Sequence, residues 1–177
     1  MTLLDELKAF EGREAGPPLV GPDPVNAPMI RHWCEAIGDE LPVYTDETAA
    51  AASVHHGIIS PPTMLQAWTM VGLRRPSEGG KEGSKEGGNR YTDVLGLLDR
   101  NGYSSVVATN CEQEYVRELR PGDRLSVTTV IEHISEEKRT ALGAGHFVTS
   151  LMEYRDQDGE LVGTQRWRIL KFKPPGR

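Results

Sequence analysis

The chain has 177 residues, enough for one domain of ordinary size with its own core, and its two cysteines supply neither a disulfide framework nor a zinc spacing. The formal charge of −6 arises in residues 1–100, which hold 15 acidic and 9 basic groups against 11 of each in the remainder, so no basic surface points to nucleic acid as a partner. The opening MTLLDELKAFEG is acidic where a secretion signal needs basic residues, and no apolar run approaches the roughly 18 residues of a membrane span, so a cytoplasmic protein without a membrane partner is expected.

Residues 13–28 carry five prolines and read as an irregular approach to the first clear helix. From Asn26, a candidate cap, Met29, Ile30, Trp33 and Ile37 recur at helical spacing until Gly38 stops them. The polar stretch GDELPVYTDE (38–47) follows, and Asp46 can cap a short helix, ETAAAASVHH. In GIISPPTMLQAWTMVGL, Ser60 is placed to cap and Pro61 to start a helix carrying Met64, Leu65, Trp68 and Val71, the best candidate for an enclosed central helix. Residues 74–90 contain no apolar side chain and read as an exposed mobile loop, a lid or a simple insertion. The stretch Tyr91 to Asp99 fits a short helix or an extended segment equally well.

After the Asn101-Gly102 turn the period switches to two. Four runs rich in β-branched and aromatic residues, YSSVVATNCEQEYVREL, LSVTTVIEHI, HFVTSLMEYRD and ELVGTQRWRILKF, read as strands. Short connections, Pro121-Gly122-Asp123 and Asp158-Gly159 among them, predict antiparallel neighbours in a meander. Cys34 on a helix pattern and Cys111 on a strand pattern read as small buried hydrophobes. The whole, residues 1–177, reads as a single α+β domain with a curved antiparallel sheet packed around a helix.

The chemistry candidates are few. Asp39 could hold or orient a water, or simply cap local amides. Five residues on, Tyr44 can donate a hydrogen bond but is a poor base near neutral pH. His55 and His56, just before Gly57, could act as acid or base, or be surface groups at a helix end; the glycine would let a thioester oxygen approach a backbone N–H. His32, His133 and His146 have no ligand spacing, so no metal is expected. Arg166, Arg168, Lys171 and Lys173 around Trp167 could bind phosphates and stack an adenine, or mark a protected edge strand. No phosphate loop, dinucleotide fingerprint or nucleophile elbow occurs.

Three motifs in order resemble the MaoC-like dehydratases, the (R)-specific enoyl-CoA hydratases of the hotdog superfamily, in their N-terminal half-domain type. The family loop Gly-Asp-x-Asn-Pro-hydrophobic-His-x-Asp falls on Gly38 to Asp46, with Leu41 in place of the asparagine and Tyr44 in place of the histidine. GIISPPT (57–63) resembles Gly-x-x-Ala-Pro-Pro-Thr, and YVRELRPGDRL resembles the family's strand, turn and strand.

The resemblance, over roughly residues 8–173, implies a hotdog fold and hydration of a trans-2-enoyl-CoA to a (3R)-hydroxyacyl-CoA. CoA is then part of the substrate and no separate cofactor is needed. Asp39 falls on the catalytic aspartate and Gly57 near the oxyanion position, with Ile58, Trp68, Arg166, Arg168 and Lys171 as further substrate contacts. The missing histidine implies a catalytic hotdog partner that supplies the Asp/His pair, in a dimer or a dimer of heterodimers. Actinobacterial two-gene hydratases of this kind act on bulky thioesters such as steroid side chains. Two other readings are carried: a self-sufficient homodimer using Asp39 with His55 or His56, and an acyl-CoA-binding or scaffold protein without turnover.

Overall fold

The computed structural model describes residues 2–71 and 90–174, so the lid question at 74–89 lies outside the described residues. In chain order the elements are α1 (Leu3–Lys8), β1 (Leu19–Val20), α2 (Ala27–Ile37), α3 (Glu47–Ala52), α4 (Arg90–Arg100), β2 (Ser105–Tyr115), β3 (Ser126–Ile134), β4 (Lys138–Thr140), β5 (Gly143–Arg155) and β6 (Leu161–Phe172), with 3-10 turns at Pro42–Tyr44, Pro62–Met64 and Ala67–Thr69.

The four strands read from the period-two pattern are all present, but they do not form a simple meander. The sheet order is β1-β3-β5-β6-β2, wholly antiparallel, with β4 paired to β5. Thus β2 and β3, expected as neighbours, stand three strand spacings apart, about 14 Å. Residues 116–125 cross that gap. Val116 N donates to Val162 O, Leu119 enters the core, and Gly122 N and Asp123 O bond the backbone of Val25. Arg117 clamps the crossing, with Nη1 2.8 Å from Asp123 Oδ2 and Nη2 2.8 Å from Asp156 Oδ2. A second correction concerns β6, which is an interior strand between β5 and β2, so its basic residues do not protect an edge. The edge is β2, and Cys111, expected inside, is exposed there, whereas Cys34 is buried.

The expected central helix at 60–71 is also replaced. Pro61 stays extended, as a residue before proline must, and Met64 N to Pro61 O and Leu65 N to Pro62 O close 3-10 rather than α turns. Ser60 does not cap: its N–H bonds Leu119 O, and its Oγ accepts from Trp68 Nε1 at 3.0 Å. Met64, Leu65 and Trp68 are buried as the spacing required. Among the helices packed on the sheet is α4, with Val94 and Leu98 inward. The undecided stretch 91–99 is therefore helical.

Two hydrophobic clusters share the inner sheet face. Ile30 and Cys34 of α2 pack with Met64, Leu65 and Trp68 over Val127, Tyr154 and Val162; Leu7 of α1 packs with Val94 and Leu98 over Ile131, Ile134, Val148 and Ile169. Each fully buried aliphatic side chain contributes about 1.5–3 kcal/mol. An irregularity in register between Ile131 and His133 keeps Ile131 and Ile134 on the same face. Gly21 is required where β1 passes the 3-10 segment, since a Cβ there would lie 2.2 Å from the Trp68 carbonyl oxygen.

Candidate functional site

The loop after α2 is built by local rules. Asn26 Oδ1 caps α2 by accepting from Met29 N at 2.9 Å, Gly38 ends it in the left-handed region at φ 71°, and Asp46 Oδ1 caps α3 by accepting from Ala49 N at 2.9 Å. Between them, Asp39 Oδ1 accepts from Leu41 N at 3.1 Å, so the carboxylate caps its own turn. Tyr44 is half-buried against the first hydrophobic cluster. Its phenol is pushed up by burial, then by the charge of Asp39 and by Cys34. A phenol so shifted can donate a hydrogen bond but is a poor base near neutral pH.

His55 and His56 do not complete the pair. His55 Nδ1 lies 3.5 Å from Glu118 Oε1, and His55 O accepts from Arg120 Nη2 at 2.6 Å. His56 is exposed at φ 54°, in the left-handed region. Among the described residues neither histidine makes a hydrogen bond or ion pair with Asp39. Gly57 N donates to Ala50 O at 3.0 Å, whereas the next amide, that of half-buried Ile58, has no backbone acceptor among the described residues.

The basic residues of β6 do not converge. Alternation puts Arg166 and Arg168 on the outer face and Lys171 on the inner one. Arg166 forks onto Glu132 at 2.7 and 2.9 Å, Arg168 stacks 4.5 Å from the centroid of Phe147, and buried Lys171 pairs with Asp99 of α4. Trp68, 2 % exposed, anchors the 3-10 segment to Ser60. His32, His133 and His146 remain apart, and no group of three or more metal-ligating side chains occurs among the described residues.

What sequence reading missed is a groove between the two hydrophobic clusters. Cavities of about 310 and 330 Å³ share Gln66, Thr129 and Met152; the first extends to Tyr91 and Trp167, the second to Leu19, Met70 and Tyr154. Volumes of this order suit a sizeable apolar ligand. The signal was present in the alternation of β3 and β5, which points Thr129 and Met152 inward, but not in any motif. A separate cavity of about 140 Å³ lies beside Ser60, Leu65, Tyr115 and Leu119. Beyond it, among the described residues, β2 pairs on one side only, with β6, and Val106 (58 %), Tyr115 (45 %) and Val116 (62 %) are exposed at and just past that open edge.

Residues 12–165 match the family model described as FAS1-like, dehydratase domain region. The chain is 51% identical over 173 residues to a probable enoyl-CoA hydratase alpha subunit of Thermomonospora curvata, covering 95% of this chain and 51% of that protein. It is 44% identical over 171 residues to the 3-oxo-4,17-pregnadiene-20-carboxyl-CoA hydratase alpha subunit of Mycobacterium tuberculosis, covering 93% and 50%. The chain thus spans about half the length of these curated relatives. A chain of the ChsH1-ChsH2 complex from Mycobacterium tuberculosis superposes with a TM-score of 0.83 at 41% identity, over 99% of this chain and 93% of that one. The antiparallel sheet with helices on its inner face is the hotdog fold that the sequence resemblance implied.

Proposed function

The chain belongs to the FAS1-like dehydratase family of MaoC-like hotdog domains, and on that premise we propose that it is the non-catalytic half of a heteromeric enoyl-CoA hydratase. The carrying observation is the loop at 38–46: the family frame is intact, yet Tyr44 stands where the proton-handling histidine belongs and Asp39 is engaged by Leu41. A partner hotdog docked along β2 supplies the Asp/His pair. That pair activates a water whose oxygen adds to C3 of a trans-2-enoyl-CoA while a proton goes to C2, giving the 3-hydroxyacyl thioester.

This chain contributes wall and room. The groove over Thr129 and Met152 is large enough for a bulky acyl group, and a polycyclic acyl thioester, as named for the Mycobacterium tuberculosis relative, is the proposed class of substrate. CoA belongs to that substrate, and no further cofactor is required. The proposed assembly is a heterodimer or a dimer of heterodimers in the cytoplasm, consistent with the absence, among the described residues, of a helix long and apolar enough to cross a membrane.

The test is hydration of crotonyl-CoA and of a polycyclic enoyl-CoA by the chain alone and with its partner, followed as loss of enoyl absorbance. Turnover is expected only with the partner, and Asp39→Ala in this chain should leave kcat within about threefold, the loss of one turn-capping bond. Full activity of the isolated chain refutes the proposal. If thioesters bind but no partner restores turnover, the protein is a binding or scaffold subunit.

A further inference from the structure

Two buried polar groups on the inner sheet face, next to the groove-lining Met152 and Trp167 and not themselves lining the groove, have no hydrogen-bond partner among the described residues. Gln165 of β6 is 0 % exposed. Its Oε1 accepts from Gln113 Nε2 at 2.9 Å and lies 3.5 Å from the Tyr154 hydroxyl, while its Nε2 has no partner. Ser150 of β5 is 1 % exposed, and its Oγ is likewise without a partner.

The register brings them together. Met152 stands opposite Gln165 and Ser150 opposite Trp167, so the four form one patch of the inner face, and Met152 and Trp167 are the members that line the groove. A buried amide donor left unbonded is destabilising, and a leucine or methionine would pack the same volume without that cost. The Tyr115 hydroxyl donates to Gln113 Oε1 at 2.7 Å, and Gln113 Nε2 in turn to Gln165 Oε1. The carboxamide therefore keeps its acceptor occupied and its donor free.

We propose that Gln165 and Ser150 form a polar seat for a carbonyl or hydroxyl oxygen carried on the otherwise apolar acyl part of the thioester. Met152, unbranched and pliable, is the side chain that yields as the ligand settles. The seat rests on the reading of this chain as an acyl-CoA-binding subunit and adds to it a rule of selection: the groove takes acyl groups with an oxygen remote from the thioester in preference to pure hydrocarbons. Thr129 and Gln66, which also line the groove, are placed to assist, but neither is fully buried or orphaned.

The test uses two saturated polycyclic acyl-CoA thioesters of one carbon frame, one with a ring ketone and one without, titrated calorimetrically into the complex of this chain with its partner. The wild type should prefer the ketone by about tenfold, the worth of one well-formed hydrogen bond that would otherwise be missing. Gln165→Leu should bring that ratio close to one while leaving the hydrocarbon's Kd within about twofold, and Ser150→Ala should lower the ratio by a smaller factor. An unchanged ratio in folded Gln165→Leu overturns the seat; should that variant not fold, an unchanged ratio in both Gln165→Met and Ser150→Ala overturns it. Equal binding of the two thioesters by the wild type removes the seat and leaves the subunit assignment standing. Binding of neither removes both.

Discussion

Arg117 holds the crossing between β2 and β3, and its replacement by methionine keeps the stem while deleting the fork. Two charge-assisted bonds to carboxylates are lost, each 2.8 Å long, one to Asp123 and one to Asp156, together with the bond from Nη1 to Glu118 O at 2.9 Å. Bonds of this kind contribute about 1.5–3 kcal/mol each. Two facts reduce the total. The guanidinium side chain is 35 % exposed, and the carboxylates keep amide donors, Arg120 N on Asp123 and the N–H groups of Asp158 and Glu160 on Asp156. The expected loss is about 2–3 kcal/mol, less than the 3–5 of stripping a wholly buried pair. For a chain of this size that lowers Tm by about 4–12 °C in a calorimetric scan.

The pH dependence sharpens the test. Asp156 is held below the usual carboxylate range chiefly by Arg117, against burial and with help from the two amides. A depressed folded value contributes stability that is complete above the unfolded value, about pH 3.9, and disappears as the pH falls through the folded one. The gap between wild type and Arg117→Met should therefore be constant from about pH 5 to 7 and narrow below about pH 4. A Tm change under about 1 °C at pH 7, or a gap that does not shrink in acid, refutes the clamp.

Gly21→Ala places a carbon 2.2 Å from a main-chain oxygen and should cost about 1–3 kcal/mol in urea unfolding, whereas Gly122→Ala meets no atom within 4 Å and tests backbone strain alone at φ 105°. Every tyrosine phenol is pushed up, Tyr103 to about 12 by burial and by Glu137, so phenolate absorbance in the native protein should rise above pH 10 and its midpoint should fall toward 10 in urea. Because raised values favour the protonated folded state, stability should fall from about pH 10 upward, and Tyr103→Phe should soften that fall. Val106→Asp, at an exposed position on the open edge, should leave the Tm of the isolated chain within about 2 °C yet abolish a co-purified partner in native mass spectrometry.

The strands could be read because β-branched and aromatic residues concentrate in β3, β5 and β6, with Val127, Ile131, Val148 and Ile169 among those that enter the core. The loop could be read because its residues obey local rules: Asn26, Gly38 and Asp46 do what their side chains and backbones dictate anywhere. Pairing partners are another matter. The turn chemistry of Pro121-Gly122-Asp123 suggested a hairpin, and only Val25, far away in sequence, reveals that those residues are passing over the end of the sheet. The 60–71 segment misled for a related reason, since Met64, Leu65 and Trp68 satisfy an α-helical stripe and a pair of 3-10 turns alike, and the choice was made by Pro62 and by Leu119 taking the Ser60 amide. Arg166 and Lys171 looked like neighbours in one patch, but five residues apart on a strand is an odd number, which is enough to put them on opposite faces.

The eleven residues of β2 carry one further implication, for the supply of the protein rather than its chemistry. A long strand with a vacant side and apolar groups at Val106, Tyr115 and Val116 will pair with whatever β-strand it meets, including another copy of itself. In the proposed assembly, synthesis of this chain in excess of its partner is therefore a liability to the cell. Its yield in soluble form should track the stoichiometry of co-production more closely than any stabilising change made in its core.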